Sequence, residues 1–386
     1  MTHAERGWAE TATKWLLELT SIPTATGRED RVIAWIERWA CERPDLALTR
    51  DGAGNLVLCE NHAPSTGGAM LMLTAHLDHP AFVVENIVHE GTISCTFRGG
   101  VMDPYFENAR IVIHTRDGRR LPGTVLDASP AEPLRRCTVE LDSHVDFNAV
   151  RPGDVGTWDL PQAEVVDGEV RAPACDDLSA VAAIVSALEA LRGAREGRPP
   201  VCALFTRAEE VGFIGAIAAC REGVIPEGAR VIALENSRAY EESPLHAGPI
   251  VRVGDKTSTF APALTAAVGG VADALAKRTA QREPRFKWQR RLMPGGTCEA
   301  TCFCAFGHEA TCVCLPLKNY HNMGNLDAVQ GGDAGAARIE SETISLADYH
   351  DLVELLIACA SGLESAQPLR ALMDKLYAER SFVLEG

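Results

Sequence analysis

The 386-residue chain carries 37 Lys and Arg against 53 Asp and Glu, a formal charge of −16, and 46% of its residues are hydrophobic. That balance excludes nucleic acid as the main partner, because phosphate binding draws on clustered Lys and Arg. No run reaches the roughly 18–20 apolar residues of a membrane span, and the opening MTHAERGWAETATKW is charged where a signal peptide would be apolar; the expectation is a cytoplasmic protein with no membrane partner and a length suited to two or three domains.

In chain order, residues 1–80 alternate helix and strand signals. Thr26 and Glu29 have the spacing of a capping box, and Val32, Ile33, Ile36 and Trp39 follow at helical period. Ala69 to Ala75 is a short continuous apolar run, as in a strand buried on both faces. Residues 81–166 change character. Short β-branched runs (Thr92–Phe97, Arg110–Thr115, Cys137–Leu141) are separated by turns, Asp117-Gly118 is a hairpin signal, and Asp167-Gly168 just past the stretch is another. Residues 167–386 return to the first pattern. Leu178 to Leu191 reads as a helix, Val201–Phe205, Val231–Leu234 and Thr311–Leu315 as buried strands, and Asp351 to Leu363 as a late amphipathic helix. The last two dozen residues show no clear pattern. The predicted fold is α/β: a doubly wound, mixed-sheet catalytic domain (1–80 and 167–386) interrupted by a small inserted β-barrel domain (81–166).

In a reducing compartment the thirteen cysteines do not form a disulfide framework. Cys298, Cys302, Cys304, Cys312 and Cys314 suggest a zinc cluster, but no C-x-x-C pair occurs among them. Cys312 and Cys314 alternate with apolar residues, which favours buried small hydrophobes.

Polar residues collect where the apolar runs end. His76 and Asp78 close the run LMLTA, and in an extended chain they face the same way, so that Asp78 can take the second ring proton of His76. His79 points to the other face. Asp176 and Asp177 precede the helix that starts near Leu178, Glu209 and Glu210 follow VCALF, Glu235 follows VIAL, and His321 lies a few residues past TCVCL. Each has an ordinary reading alone, as a surface histidine, a helix cap or a surface charge. Five candidates at the ends of buried elements in an α/β sheet weigh together, because ligands gather at the carboxyl ends of such strands. Mixed imidazole and carboxylate ligation suits Zn²⁺, Co²⁺ or Mn²⁺.

The segments HLDHPAF, ACDDLSA, TRAEEVGFIGA, HAGPIVRVGD and MPGGTCEA resemble, in order and spacing, the motif series of the tetrahedral (TET), deblocking and glutamyl aminopeptidases, a family of co-catalytic metallopeptidases. The resemblance implies a two-metal exopeptidase that hydrolyses N-terminal residues from peptides by attack of a metal-bound water. It implies two divalent ions, most simply zinc: His76 and Glu235 on one, Glu210 and His321 on the other, and Asp176 bridging. It also implies Asp78 as the residue orienting His76, Glu209 as general base, and a homo-oligomer, dimer or dodecamer, built through the inserted domain. Three positions depart from the family pattern: His79-Pro80, Thr297-Cys298-Glu299, and Glu235 in place of Asp. The first two leave open the preferred side chain, and the third touches the metal. They also leave two other readings, a carboxypeptidase or N-acyl amino acid deacylase on the same fold, and a metal-free binding protein.

Overall fold

The computed structural model describes residues 7–61, 68–130, 133–192, 198–363 and 368–384. Its core is an eight-stranded mixed sheet. In spatial order the strands are Leu46–Arg50, Leu56–Glu60, Val201–Thr206, Leu71–His76, Arg230–Arg238, Glu309–Leu317, Ile250–Gly254 and Gln289–Leu292. The four central ones, from Val201–Thr206 to Glu309–Leu317, run parallel. They are buried along almost their whole length, as expected for apolar runs covered on both faces. Helices supply the cover. Leu178–Leu191 (LSAVAAIVSALEAL) is apolar nearly all round and lies between the sheet and the helices Ala9–Leu19 and Leu346–Gly362.

The strands between Ala81 and Trp158 do not join this sheet. Ala81–His89, Thr92–Arg98, Arg135–Leu141, Arg120–Ser129, Arg110–His114 and Val155–Trp158 pair in that cyclic order and close a barrel. Its interior holds an edge-to-face group of rings: Phe82 to Phe97 at 4.9 Å, Phe82 to Trp158 at 5.0 Å and Phe97 to Phe106 at 4.8 Å. Each such pair contributes about 0.5–1.5 kcal/mol beyond the area it buries. Both DG signals sit in hairpin turns: Asp117-Gly118 joins Arg110–His114 to Arg120–Ser129, and Asp167-Gly168, with both φ angles positive, joins Glu164–Val166 to Glu169–Ala172. The fold class read from the sequence is therefore the one found. The chain enters the barrel just after His76, leaves it at Trp158, and passes through a hairpin paired with Glu342–Ser345 to reach Asp176, so two residues a hundred positions apart meet.

Three local expectations fail. Thr26 and Glu29 form no capping box: Thr26 Oγ1 donates to Asp78 instead, and the buried Glu29 carboxylate accepts from the N–H groups of Gly27 and Ala208 and pairs with Arg207. Long-range partners outcompete the local cap because both residues are buried. Nor are all cysteines reduced. Cys59 and Cys202 stand directly opposite in an antiparallel pair, Cα atoms 4.2 Å apart, and are joined as a disulfide. Finally, Glu235 is not the residue after its strand, since pairing continues through Arg238 against Leu317. The unplaced tail contains a helix, Pro368–Arg380, followed by a short turn, Ser381–Leu384. No helix among the described residues is long and apolar enough to cross a membrane.

Candidate metal centre

Four parallel strands deliver the site. His76 is the last residue of Leu71–His76 and is paired in register with Thr206, so the Glu209–Glu210 loop emerges beside it. Glu235 lies on the next strand, and His321 follows the one beyond. Asp176 arrives from the barrel's return segment, two residues before the helix Leu178–Leu191. The peptide bond between Asp176 and Asp177 is cis, and Asp177 Oδ2 faces the His76 backbone nitrogen at 3.3 Å.

All these side chains converge. His76 Nε2 lies 3.5 Å from Asp176 Oδ1, 3.7 Å from Glu235 Oε1 and 3.9 Å from Glu209 Oε2. His321 Nε2 lies 3.7 Å from Asp176 Oδ2 and 3.3 Å from Glu210 Oε1. Asp176 thus turns one oxygen to each histidine. The opposite ring nitrogens meet carbonyl oxygens, His321 Nδ1 to Gly100 at 2.6 Å and His76 Nδ1 to Asp78 at 3.1 Å. A carbonyl only accepts, so Nδ1 carries a proton in both rings and it is Nε2 that faces the cluster, offering a lone pair once that nitrogen gives up its own proton. Gly100 is brought there by the turn after the second barrel strand, where a Cβ at Gly99 would lie 2.7 Å from Pro80 Cβ.

A second set of carboxylates fixes the backbone. The buried Asp78 carboxylate stands 3.6 Å from His76 Nδ1, further than its own carbonyl. Its oxygens accept instead from the N–H groups of Glu209 and Glu210, at 3.0 and 3.1 Å, and from Thr26. Glu342, which no local sequence pattern marks, accepts from the N–H groups of Cys175 and Asp176, at 2.7 and 2.9 Å, through one oxygen. Through the other it accepts from His321 N–H at 2.8 Å. It begins the strand Glu342–Ser345 and is fully buried. These grips matter because Ala208 and His321 hold left-handed φ angles of 54°, which cost about 1–3 kcal/mol each in a non-glycine residue. His79 does not face away from the site. Its Nδ1 lies 2.5 Å from the Asp176 carbonyl oxygen and its Nε2 3.1 Å from Asn322 Oδ1.

The electrostatics call for cations. Burial, together with Glu235 and Glu210 and against His76, pushes Asp176 well above the usual carboxylate range. Burial also pushes Glu209 well up, with His76 opposing and Glu235, Glu210 and Asp78 adding to the rise. For His76, burial is outweighed by Glu209, Asp176, Asp78 and Glu235, which hold its pKa well above 6.5. Two oxygens of the cluster, Asp176 Oδ1 and Glu210 Oε1, are sealed from solvent and accept no hydrogen bond. Orphaned buried carboxylate oxygens of this kind suit metal ligation. Three overlapping groups have ligand atoms all within 4.8 Å of one another: His76, Asp176 and Glu235; Asp176, Glu210 and His321; and His76, Glu209 and Glu210. Among the described residues, no such group includes a cysteine, so the Cys298–Cys314 set is not a zinc cluster. The centre opens into a cleft of about 180 Å³ whose walls include Arg238, Tyr240, Arg252, Met293 and Leu326.

Comparison with known proteins gives one family match and a consistent set of structures. The family described as M42 glutamyl aminopeptidase matches residues 54–331. An aminopeptidase of the archaeon Desulfurococcus kamchatkensis superposes with a TM-score of 0.73 at 21% identity, over 94% of this chain and 99% of that one. The TET1 peptidase of Pyrococcus horikoshii, described as assembling into a tetrahedron or an octahedral shell, gives 0.70 at 21%, over 90% and 99%. A Thermotoga maritima protein named an endoglucanase gives 0.63 at 18%, over 92% and 99%. At these identities the superpositions establish the fold.

Proposed function

The chain belongs to the M42 glutamyl aminopeptidase family and is a metal-dependent peptide hydrolase acting at N-termini, and from that premise we propose how its residues divide the work. Two divalent ions would be held in the cluster by His76 and Glu235, by Glu210 and His321, and by Asp176, whose two oxygens face the two histidines. The observation that carries this reading is the Asp176 carboxylate, one oxygen toward each histidine, between two imidazoles that both turn Nε2 to it. Nitrogen and oxygen donors without sulfur suit zinc, with cobalt or manganese as alternatives.

When bound, the ions supply Lewis acidity, polarising the scissile carbonyl and acidifying water. Glu209 is the general base. It lines the cleft without completing either histidine–aspartate pair, and it takes the proton from the attacking water and passes it to the leaving nitrogen. Asp78 positions it by holding the Glu209 and Glu210 peptide N–H groups. The negative wall of Glu209 and Glu235 receives the substrate ammonium. The barrel carries exposed apolar side chains, Ile87 at 44%, Val88 at 58% and Leu126 at 55% exposure, which we assign to a homo-oligomeric contact.

The test is a matched pair of peptides, one with a free and one with an acetylated N-terminus, incubated with the metal-loaded enzyme. Cleavage of the free peptide alone is expected. Cleavage of only the acetylated peptide would replace the aminopeptidase by a deacylase on the same centre.

A further inference from the structure

Two helices hang from walls of the cleft. Ile214–Arg221 follows the Glu209–Glu210 loop and is tied to it. The N–H groups of Gly212 and Phe213 donate to the Glu209 carbonyl oxygen, at 2.8 and 2.9 Å, and those of Ile214 and Gly215 to the carbonyls of Ala208 and Arg207. Glu299–Ala305 follows Gly295, Gly296 and Thr297, which line another wall, and Asp255 grips its start by accepting from Cys298 N–H and Thr301 Oγ1. The two helices pack side by side against the sheet. The first presents only small residues inward, Gly215, Ala216 and Ala219, which lets its backbone come close.

Cys220 and Cys302 meet where these helices touch. Cys220, one turn beyond Ala216, is half-buried at the edge of the apolar layer, and Cys302 is 6% exposed within it. Both thiols are free and they are in hydrogen-bond contact, Cys302 donating to the Cys220 sulfur. That donation holds the Cys220 thiol below its ordinary range, against burial and Glu299, and pushes the Cys302 thiol up. A partly exposed thiol eased toward thiolate, with a second thiol behind it, is the arrangement that peroxides oxidise. Cys59 and Cys202 border the same layer but are already joined, so the partner of Cys220 is Cys302. Neither of the two lines the metal cleft.

We propose that Cys220 and Cys302 are a peroxide-responsive dithiol whose closure to a disulfide restrains the cleft. The Cys220 sulfur attacks the peroxide, the O–O bond breaks, and a sulfenic acid and water result. The Cys302 sulfur then attacks the Cys220 sulfur, the S–O bond breaks, and the leaving hydroxide takes the Cys302 proton and departs as water. Two thiols and one hydrogen peroxide give one disulfide and two waters. Closure draws the sulfurs from non-bonded contact to about 2.05 Å. It also joins the helix tied to Glu209 to the helix that follows Gly295, Gly296 and Thr297, so that these two walls of the cleft no longer move independently.

The test treats zinc-loaded wild type, Cys220→Ser and Cys302→Ser with hydrogen peroxide and maps their unreduced peptides by mass spectrometry, with dimedone as the trap for sulfenic acid. In wild type the Cys220 and Cys302 peptides should appear joined, and dithiothreitol should part them. Cys302→Ser should leave Cys220 as the dimedone adduct, and Cys220→Ser should leave Cys302 a free thiol. Turnover of leucine anilide should fall about 10-fold in oxidised wild type, within the roughly 10²-fold that a 1 Å misplacement can cost, and should hold level in treated Cys220→Ser. An unmodified Cys220, a bridge to another cysteine, or a dimedone adduct that accumulates in wild type overturns the proposal. So does a bridge that leaves turnover unchanged. If a serine variant does not fold, the wild-type peptide map and turnover decide alone. If leucine anilide is not cleaved even before oxidation, it is the aminopeptidase reading that fails, and the peptide map still judges the dithiol separately.

Discussion

Replacing Glu342 by Gln keeps the shape of a side chain that touches no substrate, and it should weaken one metal site more than the other. In the wild type one oxygen accepts from Cys175 and Asp176, at 2.7 and 2.9 Å, and the second accepts from His321 at 2.8 Å. Glutamine has a single acceptor oxygen. Placed toward Cys175 and Asp176 it keeps two bonds, and its NH₂ then confronts the His321 N–H. The buried His321 N–H and the new NH₂ both lose or lack an acceptor, at about 1–3 kcal/mol for each unsatisfied group. That loss falls on a residue already held at φ 54°, whose ring must aim Nε2 at Asp176 and Glu210. Supporting groups of this kind are worth roughly 10- to 100-fold in metal affinity, or about 1.4–2.7 kcal/mol, the same size as the hydrogen-bond loss. Titration of metal-stripped protein against a chromophoric chelator should show the ion between Glu210 and His321 weakened by that factor, with the ion at His76 and Glu235 little changed. Two wild-type affinities in Glu342→Gln would refute the reasoning. Equal weakening of both would show that Glu342 acts through Asp176 instead.

The other predictions are brief. Glu209→Gln should retain both ions while turnover falls by roughly 10²–10⁴-fold; loss of metal, measured by elemental analysis, would mean that Glu209 and Glu210 have exchanged roles. Glu299 is buried, neither of its carboxyl oxygens accepts a hydrogen bond, and burial pushes its pKa to about 7. Because the folded value is raised, the neutral acid favours the folded state fully below the unfolded value near 4.5, and this stabilisation is lost as pH rises through 7, by about 3 kcal/mol. Urea unfolding of metal-stripped Glu299→Gln should therefore gain on wild type between pH 5 and 8; parallel curves would show that the carboxyl does not titrate in that range.

Much of this was readable from local pattern. Leu71–His76, Val201–Thr206 and Glu309–Leu317 are apolar runs too short for helices, and polar residues stand at their ends, so the strands and the chemistry beside them share one signal. What escaped was long-range. Glu342 opens a strand that resembles a half-polar surface segment, and nothing nearby tells that three N–H groups from two distant loops converge on it. Gly100 acts through a carbonyl oxygen, which leaves no trace in side-chain pattern. Thr26 and Glu29 have capping spacing, and only the fold shows that Asp78 and Arg207 claim them first. The spacing of Asp78 points to the His76 ring, 3.6 Å away, but only the fold shows that its carboxylate also holds the loop bearing Glu209 and Glu210.

The carbonyl that fixes the His321 tautomer belongs to Gly100, in the turn just beyond the barrel strand Thr92–Arg98, and not to the sheet that carries the other ligands. The barrel is therefore no passive appendage that could be trimmed to a minimal hydrolase. A shift of even 1 Å between the two lobes would stretch a 2.6 Å contact beyond hydrogen-bond range, free the ring to carry its proton on the wrong nitrogen, and switch off one metal site without touching a ligand.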